Sequence, residues 1–394
     1  MVIKRSSFFV LIVLFISLSA ACDREVPLPD TPNNNSSSTK QTSGDTQVSD
    51  TVLPTTTPTI EISTTLEPTQ TQIVPESQMV FDINGDIAVL DPYSPDEVNY
   101  FYFPSLEDLP NSEPRAVSPD GTKLIVRSVD ATVGKFRLFV LDLKSGETHK
   151  LIYGSASQGN AQWSPDNENI AFVLSYENES RIVIVNNLNG SMIEIHGAHR
   201  WDSIPLWSPD GKRIYFLSYK GQYDDLLSPS PHKDIFEYVI DSRELIKLTN
   251  EPILIADFSL SPDGSKFIYT SIDPAGEIFT FDVNNGDMIN LTNSISPERN
   301  PVWSPNGDKI AFSSERDGNW EIYMMDANGS SVERITFDRE VDTPIMWSPH
   351  SDYLSFVSRR SGAWQVYIYL LSSGEINQIT YEEYYPYLAD ITAP

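Results

Sequence analysis

The chain has 394 residues, with 27 Lys+Arg against 55 Asp+Glu and a formal net charge of −28. That balance repels nucleic acid and anionic membrane, so neither is expected as a partner on electrostatic grounds. Cys22 is the only cysteine, which excludes an intrachain disulfide and a cysteine-based metal site.

Residues 1–21 read as a targeting segment. Lys4 and Arg5 give a positive start, and Phe8 to Leu18 is an apolar run too short for the ~20 residues of a spanning helix. It ends in Leu18-Ser19-Ala20-Ala21-Cys22. This stretch resembles the lipobox of bacterial lipoproteins, although Ser19 stands where leucine is usual. The resemblance implies cleavage before Cys22, its lipidation, and anchorage to a cell membrane, either at the outer face of the inner membrane or at the cell surface. Asp23 matches an inner-membrane retention signal in hosts that sort lipoproteins. Residues 22–77 are rich in Ser, Thr, Pro, Asn and Gln and contain no aromatic residue. Such a segment cannot bury enough apolar surface to offset its chain entropy and is expected to be a disordered tether.

The remainder, 78–394, is governed by a repeat. Ser-Pro-Asp-Gly or a near-copy occurs with its serine at 118, 164, 208, 261, 304 and 348, in steps of 46, 44, 53, 43 and 44 residues. Trp163, Trp207, Trp303 and Trp347 directly precede four of these serines. Serine bonding to nearby backbone, proline presetting φ and glycine easing the exit together specify a tight turn. A short apolar strand follows each turn, as in Lys309-Ile310-Ala311-Phe312, and then come a hairpin and two further strands. Four strands every 40-odd residues predict an all-β fold, the blades of a β-propeller. The span from 79 to 394 divided by seven is about 45, the observed period. This favours seven four-stranded blades over six, with a C-terminal strand near Tyr384–Asp390 completing the N-terminal blade. The one long step marks an insertion between Tyr219 and Lys233.

The run from Asn300 to Tyr323, Asn-Pro-Val-Trp-Ser-Pro-Asn-Gly and onward, resembles the propeller repeat of TolB and its relatives. The resemblance covers about 79–391 and implies the fold. The same repeat serves binding proteins, peptidase propeller domains and envelope lipoproteins, so it does not carry a function. The N-terminal α/β domain of TolB has no counterpart here, and its partner is not carried over.

Chemistry-bearing constellations are sparse. The chain contains neither a Gly-x-Ser-x-Gly nucleophile motif nor a phosphate loop. Of His149, His196, His199, His232 and His350, only His196 and His199 lie close in sequence, and they are expected to be loop residues, so no metal and no cofactor are expected. The tryptophans before the serines are expected to be core between blades, and Trp201, outside the repeat pattern, is the aromatic residue to watch. The mouth of the central channel is the expected ligand site. Residues just before each inner strand should rim it: Glu113, Arg115, Asn160, Asp202, Asp257, Arg299, Asn300, Asp342 and Tyr385. Such a rim suits a cation, a basic peptide or a sugar. The expected function is non-catalytic binding of an envelope protein or glycan by a monomer. The alternative is a polysaccharide-active enzyme, a lyase or glycosidase, at the same mouth.

Overall fold

The structure is a computed structural model that describes residues 78–83, 86–90, 98–101, 113–130, 133–151, 156–197, 199–219, 232–249, 253–272, 276–381 and 387–392. The expected targeting segment 1–21, the expected tether 22–77, the insertion residues 220–231, and Tyr385 lie outside the described residues. The described elements are 28 β-strands, β1 to β28 in chain order.

The motif turns explain why strands begin where they do. At Ser304 the hydroxyl accepts the Lys309 N–H at 2.9 Å and donates to Asn306 Oδ1 at 2.7 Å, while Gly307 N–H bonds to the Ser304 carbonyl at 2.8 Å. The same set recurs at Ser118, Ser208 and Ser261, with Asp120, Asp210 and Asp263 as acceptors. The fourth motif position needs a left-handed backbone, which glycine adopts without a Cβ penalty: φ is +70° at Gly121 and +77° at Gly307. Where the glycine is missing, Asn167 and Ser351 take the same conformation at +64° and +60°. All six motif serines are buried.

Each motif serine belongs to one four-stranded antiparallel blade, named here by that serine. The Ser118 blade is β4 (Glu113–Val117), β5 (Lys123–Asp130), β6 (Lys135–Asp142) and β7 (Thr148–Lys150). The Ser304 blade is β20 (Glu298–Trp303), β21 (Lys309–Ser314), β22 (Glu321–Asp326) and β23 (Glu333–Arg334), and the Ser348 blade runs from β24 (Asp342–Trp347) to β27 (Ile376–Gln378). The Ser164, Ser208 and Ser261 blades are joined into one 12-stranded sheet. The joints are Ser180 with Trp201, and His232 and Lys233 with Leu254 and Ile253. A further sheet pairs the C-terminal β28 (Tyr387–Thr392) with the N-terminal β1 (Gln78–Ile83), followed by β2 (Asp86–Leu90) and β3 (Val98–Phe101).

The core lies between blades. Ala311, Ile322 and Ile335 of the Ser304 blade pack on Trp347, Leu354, Phe356 and Tyr367 of the next, and Met79 packs on Tyr353, Val366 and Ile368. Strands covered on both faces need no alternation, hence runs such as the fully buried Tyr353–Ser358. Trp163, Trp207 and Trp347 are buried, and each donates its indole N–H to a carbonyl of the preceding blade: Ala116, Gln162 and Val302, at 3.2–3.3 Å. They are the inter-blade core residues expected from the repeat. Trp201 is buried at the start of its strand as well.

Every inner strand of the six motif blades carries a β-bulge, for example between Ser203 and Leu206, Ile255 and Phe258, and Arg299 and Val302. A bulge bends the strand and re-aims its side chains. Asn160, Ile204 and Asn300, each three residues before a tryptophan, sit in these bulges with φ of +48°, +51° and +52°.

Candidate functional site

The motif turns occupy one end of the blades. The rim expected from the sequence belongs to the opposite end, where inner strands begin. There the bulges split the predicted residues into two groups.

The first group is buried in the blades. Asp202 and Asp342 each stand five residues before a tryptophan, as does Glu298, which was not among the rim residues expected from the sequence, and each of the three is at most 1% exposed. Glu298 pairs with Arg316, and Asp342 Oδ2 accepts from Arg360 at 2.7 Å. Each arginine lies over two rings of its own blade, Arg316 over Phe312 and Tyr323 and Arg360 over Phe356 and Tyr367. A guanidinium held flat on aromatic faces offers its fork to a carboxylate at little further entropy cost. Asp202 accepts instead from Ser218 Oγ at 2.6 Å. Asp202 and Asp342 therefore brace inner strands and do not line an open mouth. Arg316 and Arg360 went unnoticed in the sequence, although both stand twelve residues after their motif serine.

The second group is accessible. Asn160 and Arg299 are exposed, and Arg115, Asp257 and Asn300 are half-buried. Asn300 N–H donates to Asp257 Oδ2 at 2.9 Å, joining consecutive inner strands across 43 residues of chain. Burial pushes the Asp257 carboxyl above its ordinary value, although the Asn300 amide, Thr270, Arg299 and Lys233 oppose the rise. Lys233, from the neighbouring blade, is buried, with its Nζ 3.5 Å from the Ile255 carbonyl. Burial lowers its ammonium to about 8, with Asp257 pulling the other way. Asp257, Asn300, Arg299 and Lys233 thus form one mixed-charge corner that sequence spacing did not connect. Glu113 lies in β4 opposite Arg127.

Among the described residues, nucleophiles and metal ligands are not brought together. The motif serines are fixed in turns, and His149, His196, His232 and His350 are exposed on separate elements. His199 Nε2 lies 2.9 Å from Asp234 Oδ2, apart from His196. Among the described residues no three His, Cys, Asp or Glu side chains are grouped to hold a metal ion.

Residues 240–393 match the family model of the TolB beta propeller domain. The fold is a TolB-like β-propeller. Over 129 residues the chain is 29% identical to a protein named Tricorn-like protease C-terminal subunit of Sulfurisphaera tokodaii; the match covers 33% of this chain and 14% of that protein's length. TolB from Acinetobacter baumannii superimposes with a TM-score of 0.50 at 17% identity, over 79% of this chain and 80% of that one. The propeller domain of the Trilobed protease from Pyrococcus furiosus gives 0.59 at 14% identity, over 78% and 95%. At such identities the likeness establishes the fold and leaves function to the site.

Proposed function

We propose that the chain is a lipid-anchored, extracytoplasmic protein of the bacterial envelope, whose TolB-like propeller binds a protein or glycan partner without catalysing a reaction. On this reading Cys22 carries the lipid, residues 22–77 hold the propeller off the membrane, and the blades close as a seven-membered ring latched by β28 on β1. The observation that carries the reading is how fully the fold commits its reactive groups. The six motif serines hold turns, the Glu298 and Asp342 carboxylates hold arginines, and His199 lies against Asp234. What remains at the inner-strand end is a polar surface of Arg115, Asn160, Asp257, Arg299 and Asn300, suited to recognition more than to bond cleavage.

Two experiments test it. Cys22→Ser in the full chain should move the protein from the membrane fraction to the soluble extracytoplasmic fraction; membrane retention of the variant refutes the anchor. A photo-crosslinking residue at Asn160 or Arg299 should trap one recurring partner in intact cells, and Arg299→Glu should abolish the adduct formed from Asn160. Crosslinks that ignore the charge reversal would place binding elsewhere on the propeller.

A further inference from the structure

The three buried acids allow an internal comparison. In the Ser304 and Ser348 blades the acid meets an arginine laid over two stacked rings, although one oxygen of each acid, Glu298 Oε2 and Asp342 Oδ1, is buried without a hydrogen bond. The Ser208 blade repeats the acid as Asp202 and the rings as Phe216 and Phe236, stacked with centroids 5.8 Å apart. Among the described residues no arginine meets this carboxylate. Ser218 donates to Oδ1, while Oδ2 is buried with no hydrogen bond of good geometry. The backbone passes so near at Gly197 that a Cβ there would stand 2.3 Å from Oδ2. His199 lies edge-on to Phe236 at 5.5 Å but turns to Asp234.

Asp202 also sits on a seam. Ser180, at the start of the strand Ser180–Asn186 in the Ser164 blade, donates its hydroxyl to the Asp202 carbonyl at 2.7 Å and its amide to the Arg200 carbonyl at 3.0 Å. These bonds and the Ser180–Trp201 pairing join the two blades at this end. Two residues on, Ile204 holds a left-handed φ of +51°, a conformation that a β-branched residue adopts only under constraint.

We infer that Asp202 makes the seam between the Ser164 and Ser208 blades a pH-sensitive joint, closed while the carboxyl keeps its proton and loosened when it ionises. The charged groups around it do not supply the missing cation. Arg181 is shared between Glu179 and Glu194 on the Ser164 side, and Asp234, opposite Ser218 on the neighbouring strand, is met by His199 and Lys247. On the Ser261 side, Lys233 faces Asp257. Burial accordingly pushes the Asp202 carboxyl from an ordinary 3.8 to about 7, against the Ser218 bond, the Gly197 amide and Arg181, with Glu179 adding to the rise. A raised carboxyl favours the fold only while protonated. Its effect is neutral below about 3.8, erodes stability as pH rises toward 7, and is constant above that.

The test is hydrogen exchange on the full chain at pH 6 and pH 8, corrected for the intrinsic rate. The amides of Gly197, residues 199–204, Leu206, Trp207 and Ser180 should lose protection by about 10-fold at pH 8, while the Asp342 amide, bonded to the Trp320 carbonyl of the preceding blade at 3.1 Å, stays unchanged. Asp202→Asn, a neutral isostere, should remove the step. Ser218→Ala, which deletes a bond favouring the ionised form, should move the step to higher pH. Equal protection at both pH values, or a step that persists in Asp202→Asn or fails to move in Ser218→Ala, overturns the inference.

Discussion

At the scale of single residues, the motif serine is a structural group. Ser304→Ala leaves the part-buried Lys309 N–H without its acceptor. Orphaning such a donor costs about 1–3 kcal/mol, to be read from urea denaturation. Ile204 gives a prediction of opposite sign. Asn160 and Asn300 occupy the matching bulges, and asparagine tolerates the left-handed region far better than a β-branched side chain. Ile204→Asn should therefore stabilise the protein by up to about 1 kcal/mol after loss of some packing. A lower denaturation midpoint would show that the isoleucine's packing outweighs its strain.

At the scale of elements, one device joins neighbouring blades and another joins strands within a blade. One is the tryptophan staple. Trp347 donates to the Val302 carbonyl, whereas the Trp303 indole N–H is buried without a partner. Trp347→Phe should consequently cost about 1 kcal/mol more than Trp303→Phe, since the first loses a hydrogen bond and the second sheds an unsatisfied donor. Equal costs would reduce the staple to packing alone. The other device is a threonine at the end of the outermost strand. Thr336 Oγ1 accepts the Ile322 N–H at 2.9 Å and donates to Glu321 at 2.6 Å, and Thr380 repeats this with Val366 and Gln365. This second device was legible as the recurring Leu-Thr or Ile-Thr pairs at 248–249, 291–292, 335–336 and 379–380. It drew no attention because a threonine just past the end of a strand has no distinctive local signature.

At the scale of the whole molecule, β28 pairs with β1 and so puts the C-terminal and N-terminal strands in one sheet. Deleting residues 387–394 should expose an unpaired strand edge, lower the melting temperature and promote association, which light scattering would detect. A truncated chain that melts and scatters light as the parent does would argue against a closed ring. Acid should act through the turns. The Ser208 and Ser261 hydroxyls hold the Asp210 and Asp263 carboxyls below their ordinary 3.8. A depressed carboxyl contributes stability above its unfolded value, and that contribution is lost as pH falls through the lowered one. Asp210→Asn with Asp263→Asn should flatten the fall in melting temperature between pH 5 and pH 2.

The turn motif, its period and the apolar strands after it were enough to determine the fold, because each is a local constraint repeated in register. The same holds for the buried tryptophans, whose neighbours are supplied by the next copy of the same pattern. The candidate site was only partly legible. Asp202 and Asp342 both stand six residues before a motif serine and Asp257 stands four before one, yet Asp342 meets Arg360, Asp257 meets the Asn300 backbone, and Asp202 meets a serine. Those differences arise from strand register and from bulges that turn one residue inward and the next outward. They also depend on partners 16, 18 or 43 residues away, brought near only when the blades pack. Repetition in the sequence determined the architecture, whereas the burial and charge of each acid followed from which neighbour the tertiary structure set beside it.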